Sequence, residues 1–284
     1  MVAHDMEKAS RTVDVHTLVI TGFGINCDNE TAHAFQRAGS KAERVHLNDL
    51  IADPALLDRF QILAVPGGFS FGDDVASGRI FANRLRYRLG DALQAFVAAG
   101  KLAIGICNGF QVLVKMGMLP LFDGEFRPET TLTHNDSGRF EDRWVQLTAD
   151  PATSCVWLGR GVENGTLINR IELPVRHGEG KFIPQNDAVL ERLRANGQVA
   201  LRYTQPDGVP ARGDYPANPN GSVDDIAAIC DPSGRIFGLM PHPEAYTCYT
   251  HHPCWTRRPE PECPDGAGLG LFRNAVRYAQ DKLL

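Results

Sequence analysis

Short apolar runs that end in glycine and alternate with helical segments constrain this chain more than any other feature. TLVITGFG (17–24) reads as a buried strand closed by glycine. DNETAHAFQRAG (28–39) reads as a helix: Asp28 stands where a cap is needed, Ala32, Phe35 and Ala38 recur near helical spacing, and Gly39 ends it. AERVHL follows as a strand, QILAVPGG as a short apolar run closed by Pro66, Gly67 and Gly68, then a helical stretch over 79–99 and the strand KLAIGI. Such alternation with short connections requires crossover units on a parallel sheet covered on both faces. The expected fold class is therefore α/β, an open, mostly parallel sheet flanked by helices.

From about residue 125 the pattern changes to short strands (RWVQLT, IELPVRH, VALRYT, IAAICD, RIFGLM) separated by turn-rich pieces such as DYPANPNGSVDD, and GLGLFRNAVRYAQDKLL reads as a final helix. With no internal repeat and no low-complexity tract, these later strands are expected to extend the same sheet. The expected organisation is a poorly ordered polar extension over 1–16 followed by one domain over 17–284. At 284 residues the chain can bury a substantial core, and a net charge of −5 argues against a surface built for nucleic acid or anionic lipid. Seven cysteines at irregular gaps point to reduced thiols and a cytoplasmic protein. MVAHDMEKASR lacks an apolar signal core, and no run approaches the roughly 18 apolar residues of a membrane span.

KLAIGICNGFQVL (101–113) places one cysteine between Gly105 and Gly109, at the junction of an apolar strand and a helical run. That is the pattern of a nucleophile elbow, in which the glycines relieve a crowded turn and the helix N-terminus favours thiolate at Cys107. A buried, inert cysteine fits the same thirteen residues, so other groups must decide. A thiol nucleophile needs a base and an orienting acceptor. His242 follows an apolar strand in GLMPHPEAY, with Glu244 two positions on, where the two side chains can point the same way. A solvated loop is the plainer reading of His-Pro-Glu taken alone. Oxyanion stabilisation is best met by backbone N–H groups; PGGFSFGDD offers Gly68, and Asn108 beside the nucleophile offers a second donor.

Strand-PGG, G-x-C-x-G-x-Q and strand-PHPE, in that order, resemble the class I (triad-type) glutamine amidotransferases. GINCDNE, PGGFSFGDD, GICNGFQVL, THNDSGRFEDRW, PVRHGEGKF, ALRY, NPNGS and GLMPHPE together are similar to the glutaminase components of phosphoribosylformylglycinamidine synthases, over nearly all of 17–284. The resemblance implies Cys107 as nucleophile, His242 as general base and acid, and Glu244 as its orienter. It further implies that Gln111 contacts the substrate glutamine and that His177 and Gly178 of RHGEG line the glutamine pocket. Two departures stand out: GFGINCD replaces the Pro-Gly loop common after the first strand, and 248–266, CYTHHPCWTRRPEPECPDG, maps onto no motif.

The chemistry expected is glutamine hydrolysis through a glutamyl thioester, with ammonia passed to an acceptor. No G-x-x-x-x-G-K-[ST] phosphate loop is present, so no cofactor is expected on this chain. By resemblance, ATP and Mg belong to a large synthase subunit that converts formylglycinamide ribonucleotide to its amidine, often with a small third subunit. Arg139, Glu141 and Arg143 are candidate partner contacts. Two other readings stay open: a cysteine hydrolase acting on peptides, and a zinc-dependent interaction module built on Cys248, His251, His252, Cys254 and Cys263. The spacing of that set matches no standard zinc pattern, and the expected metal content is none.

Overall fold

The computed structural model describes residues 14–259 and 264–284. Most of the expected extension, residues 1–13, lies outside them. The framework starts before Thr17, because Val15 is fully buried and its carbonyl accepts the Lys41 N–H at 2.8 Å.

The first half alternates as expected: β1 (His16–Thr21), α1 (Asp28–Arg37), β2 (Lys41–His46), a short α2 (Leu47–Ala52), β3 (Ile62–Val65), α3 (Arg79–Ala98), β4 (Leu102–Ile106) and α4 (Asn108–Met116). β3 and β4 are buried along their whole length, as strands covered on both faces must be. α3 turns Phe81, Leu85, Leu89, Leu93 and Phe96 inward at helical spacing; each such side chain contributes about 1.5–3 kcal/mol by leaving water. One local expectation fails. Cys27, not Asp28, holds the N-cap position of α1, and no side chain caps the helix there. Arg44 of the adjacent β2 brings its guanidinium to 3.1 Å from the Asp28 carboxylate and engages it instead.

The second half supplies β5 (Thr130–Thr133), β6 (Glu141–Ala149), β7 (Arg170–His177), β8 (Lys181–Pro184), α5 (Asp187–Ala195), β9 (Val199–Thr204), β10 (Ile226–Cys230), β11 (Ile236–Leu239) and α6 (Leu269–Lys282). α5 was not anticipated; the Asn186 side chain caps it by accepting the Val189 N–H at 3.0 Å. β5 and β8 form a separate two-stranded ribbon, and the other nine strands make one sheet in the order β2-β1-β3-β4-β11-β10-β9-β6-β7.

The first five strands in that order are parallel, and every later pairing is antiparallel. Two reversals restore direction, so β9 and β7 point the same way as β1. The expected open, mostly parallel sheet with later strands extending it is what the chain forms. As a result, the segments leaving β1, β3, β4, β11 and β7 all emerge at one edge, which is where an open α/β sheet binds ligands.

Candidate active site

Cys107 follows the last residue of β4 and opens α4 with φ 51° and ψ −105°, a conformation non-glycine residues avoid and one that costs about 1–3 kcal/mol. The neighbours over-determine it. Its N–H donates to the Leu239 carbonyl at 2.8 Å, and its own carbonyl accepts the Gln111 N–H at 3.1 Å. A Cβ on Gly105 would sit 2.6 Å from the Gly109 carbonyl oxygen, and one on Gly109 would sit 1.8 Å from the Val65 oxygen. Both flanking positions are therefore closed to any side chain. Cys107 is 6% exposed, and its sulfur lies 3.5 Å from the Arg176 carbonyl, under the end of β7.

His242 and Glu244 come from the segment after β11. β11 pairs with β4 so that Leu239 is level with Ile106, and the His242 N–H donates to the Pro174 carbonyl of β7 at 2.8 Å. Glu244 sits in a single helical turn over 243–245, and its Oε1 lies 2.6 Å from His242 Nδ1. A carboxylate can only accept, so Nδ1 carries the proton and Nε2 remains the working nitrogen. Both residues are buried, and Nε2 makes no formed hydrogen bond among the described residues. Burial alone would depress the imidazole, but the Glu244 charge and then Cys107 hold it well above the ordinary histidine range. A base so strengthened can take a thiol proton and keep it as imidazolium.

The turn after β3 is set by the segment that follows β1. The Gly67 carbonyl accepts from Asn26 at 3.3 Å and Cys27 at 3.2 Å, and Phe69 donates to the Gly24 carbonyl at 2.7 Å. In a trans peptide the Gly68 N–H points opposite to the Gly67 carbonyl, away from those donors. The Gly68 and Asn108 N–H groups have no hydrogen-bond acceptor among the described residues. GFGINCD thus bends through Gly24, at φ 80°, without the proline common in that loop.

The Asn108 side chain accepts from the Ser70 N–H at 3.2 Å and donates to the Gln111 carbonyl oxygen at 2.8 Å. Gln111 in turn donates to the Glu179 carbonyl at 2.6 Å. Gln111 therefore braces the loop carrying RHGEG against α4. His177 ends β7, with Gly178 next to it. Asn135 Oδ1 accepts from the Gly180 N–H at 2.9 Å and lies 3.1 Å from His177 Nδ1, which makes Nδ1 the protonated nitrogen and leaves Nε2 a buried acceptor without a partner among the described residues. Burial, with the nearby His242 charge, lowers the His177 pKa to about 4, so this imidazole is neutral at ordinary pH.

The structure thus gathers Cys107, His242, Glu244, Gly68, Asn108, Gln111, His177 and Gly178 at one sheet edge. Two residues were missed. Asn135, inside THNDSGRFEDRW, orients His177; Cys27, inside GINCD, brings its thiol beside His242 and Glu244, with the three donor atoms within 4.8 Å of one another. The position of GINCD directly after the first strand was the available signal for Cys27.

The described residues of 248–266 form no metal cluster. Arg37 donates to the Thr247 carbonyl at 2.7 Å and to Cys248 Sγ at 2.8 Å. His252 is buried with its ring 4.5 Å from that of Trp144, and its Nδ1 accepts the Cys254 N–H at 3.0 Å, while the Cys254 side chain is exposed. Cys248, His252 and Cys254 each find a separate place, and Cys263 lies outside the described residues. Among the described residues the one group of His, Cys, Asp and Glu side chains placed to share a metal ion is Cys27, His242 and Glu244.

The fold and the elbow define the class of this protein as a class I glutamine amidotransferase. Residues 14–279 match the family of CobB/CobQ-like glutamine amidotransferase domains. The chain is 46% identical over 268 residues to the phosphoribosylformylglycinamidine synthase subunit PurQ of Dehalococcoides mccartyi, covering 94% of this chain and 98% of that one. It is 42% identical to the subunit of the same name from Methanococcus maripaludis, covering 92% and 96%. Among solved structures it is similar to a chain of PurLQS from Thermotoga maritima, with a TM-score of 0.66, 28% identity, and coverage of 94% and 99%. A glutamine amidotransferase from the same organism, 12% identical with a TM-score of 0.51, shares the fold. The chain belongs to the PurQ family of phosphoribosylformylglycinamidine synthase subunits.

Proposed function

We propose that this chain is the glutaminase of a phosphoribosylformylglycinamidine synthase, with Cys107, His242 and Glu244 as its catalytic triad. The observation that carries the reading is a buried His–Glu pair at 2.6 Å, in the segment that follows the strand whose last residue hydrogen-bonds the Cys107 N–H. The Cys107 thiolate attacks the side-chain carboxamide of glutamine, the Gly68 and Asn108 N–H groups hold the oxyanion, and imidazolium His242 protonates departing ammonia. Water, deprotonated by His242, then releases glutamate from the thioester. Each oxyanion donor is worth about 3 kcal/mol in the transition state. Gln111 supports the pocket through the Glu179 backbone, while neutral His177 and the neighbouring Gly178 line it.

Glu244→Gln keeps the shape and removes the charge that sustains the imidazolium. Its kcat is expected to fall by about 10²- to 10⁴-fold with little change in KM. A change confined to KM would make Glu244 a substrate-binding residue instead.

The ammonia serves an ATP-dependent ligation on a large synthase subunit, which is expected to hold ATP and Mg, with a small third subunit possible in the complex. The name PurLQS of the similar structure supports this partnership. The partner-facing charges need one revision. Glu141 is buried, accepting from Ser137 at 2.7 Å and Arg143 at 2.9 Å, so it braces Arg143, while Arg139 is exposed. The site lies among exposed Phe23, Phe69 and Phe140, a surface suited to burial against a partner. A glutaminase confined to the cytoplasm fits six free cysteines and, among the described residues, no helix long and apolar enough to cross a membrane. A peptide hydrolase is disfavoured by a nucleophile only 6% exposed. Glutaminase turnover is expected to rise at least about tenfold as the synthase subunit is titrated in at saturating ATP and ribonucleotide; a flat response would leave a constitutive glutaminase.

A further inference from the structure

Cys27 has no part in the chemistry above, yet its thiol faces the catalytic base. It is half-buried at the start of α1, and its thiol donates to Asn26 Oδ1 at 3.3 Å. A Cβ on Gly67 would lie 3.3 Å from Cys27 Sγ, 2.9 Å from His242 Cε1 and 3.5 Å from His242 Nδ1. The thiol and the Nδ1 edge of the imidazole therefore flank one point above a glycine. The Glu244 carboxylate closes the group, the three donor atoms lying within 4.8 Å of one another. A second observation marks the place as under-satisfied. Glu244 Oε2 makes no hydrogen bond among the described residues, although the Glu244 side chain is only 2% exposed.

One thiolate, one imidazole and one carboxylate make a donor set that zinc accepts. Metal–ligand bonds of about 2.0–2.3 Å set tetrahedral donors about 3.3–3.8 Å apart, a spacing these side chains reach by small rotations. We propose that Cys27, His242 and Glu244 form an inhibitory site for zinc or a similar soft divalent cation. The cation bonds Cys27 Sγ, His242 Nδ1 and a Glu244 oxygen; the thiol proton leaves to solvent and the ring proton moves from Nδ1 to Nε2, so His242 stays a neutral imidazole. With the Nδ1 proton replaced by a cation, His242 loses its orienting hydrogen bond and cannot cycle as base and acid. Inhibition rests on the reading of His242 as the base; binding of the cation does not.

The test uses cobalt(II), which reports thiolate ligation by charge-transfer absorption, in full-length Cys107→Ala so that the nucleophile cannot contribute. That variant is expected to develop the band on titration, and Cys107→Ala/Cys27→Ala is expected not to. A band that survives loss of Cys27, or no band in either, overturns the site. Should the double variant fold poorly, alkylation of Cys27 in Cys107→Ala, read by mass spectrometry, gives the same decision: zinc should protect it, and unchanged labelling would reject the proposal. In the assembled complex with Cys107 intact, Cys27→Ala is expected to need more than about tenfold more zinc than the unaltered chain for half-inhibition of its own glutaminase rate. Equal sensitivity would put the inhibitory metal elsewhere.

Discussion

Cys107→Ser is expected to remove glutamine-dependent amidine synthesis from the assembled complex, by at least about 10⁴-fold, while synthesis driven by added ammonium salt persists. A serine hydroxyl at this elbow inherits the strained backbone and the proposed oxyanion donors and base, but its oxygen is far harder to ionise beside one imidazole than a sulfur is. The substitution is close to isosteric in a site 6% exposed, so the sheet and any partner surface should stay as they are. Parallel assays with glutamine and with ammonium salt separate the possibilities. Equal loss of both activities would show that Cys107 serves assembly, and retention of glutamine-dependent turnover would remove it from the nucleophile's role.

Gly109→Ala should be the most damaging single methyl group in the chain. The added carbon would fall 1.8 Å from the Val65 carbonyl oxygen and 2.6 Å from its carbon, so α4 and β3 must separate. A backbone clash between two buried elements has no flexible side chain to absorb it, and a loss of about 4 kcal/mol or more is expected, with glutaminase activity lost in whatever folds. Gly90→Ala, the same chemical change in the interior of α3, meets nothing within 4 Å and should stabilise by up to about 1 kcal/mol. Denaturant unfolding of the pair checks both signs. Similar midpoints for the two variants would contradict the geometry.

The sequence made the elbow legible because its signals are local: a fully apolar strand, two glycines and a helical run within thirteen residues. The His242–Glu244 contact was legible for the same reason, two residues being enough to bring the groups together. α5 was missed although Asn186 before AVLERL is a capping signal, because the surrounding turn-rich text masked a nine-residue helix. Asn135 and Cys27 were harder. Asn135 meets His177 forty-two residues away, and Cys27 meets His242 across the whole domain, so their roles depend on which strand ends share a sheet edge. Glu141 misled for a related reason: a charge in a polar motif reads as surface, and only the pairing of β6 with β7 reveals that it is buried.

The Cys107 N–H and the Leu239 carbonyl join residues 132 positions apart by a single bond of 2.8 Å. During synthesis on a ribosome, the proposed nucleophile emerges long before the segment after β11 that carries its proposed base. A nascent chain ending before Ile236 holds the elbow but lacks both His242 and the ladder of β11 against β4 that sets the height of Cys107. Glutamine therefore meets no complete version of the proposed site until Glu244 has been made. The interleaved order of the sheet acts as a timer, withholding an otherwise wasteful activity from every unfinished copy.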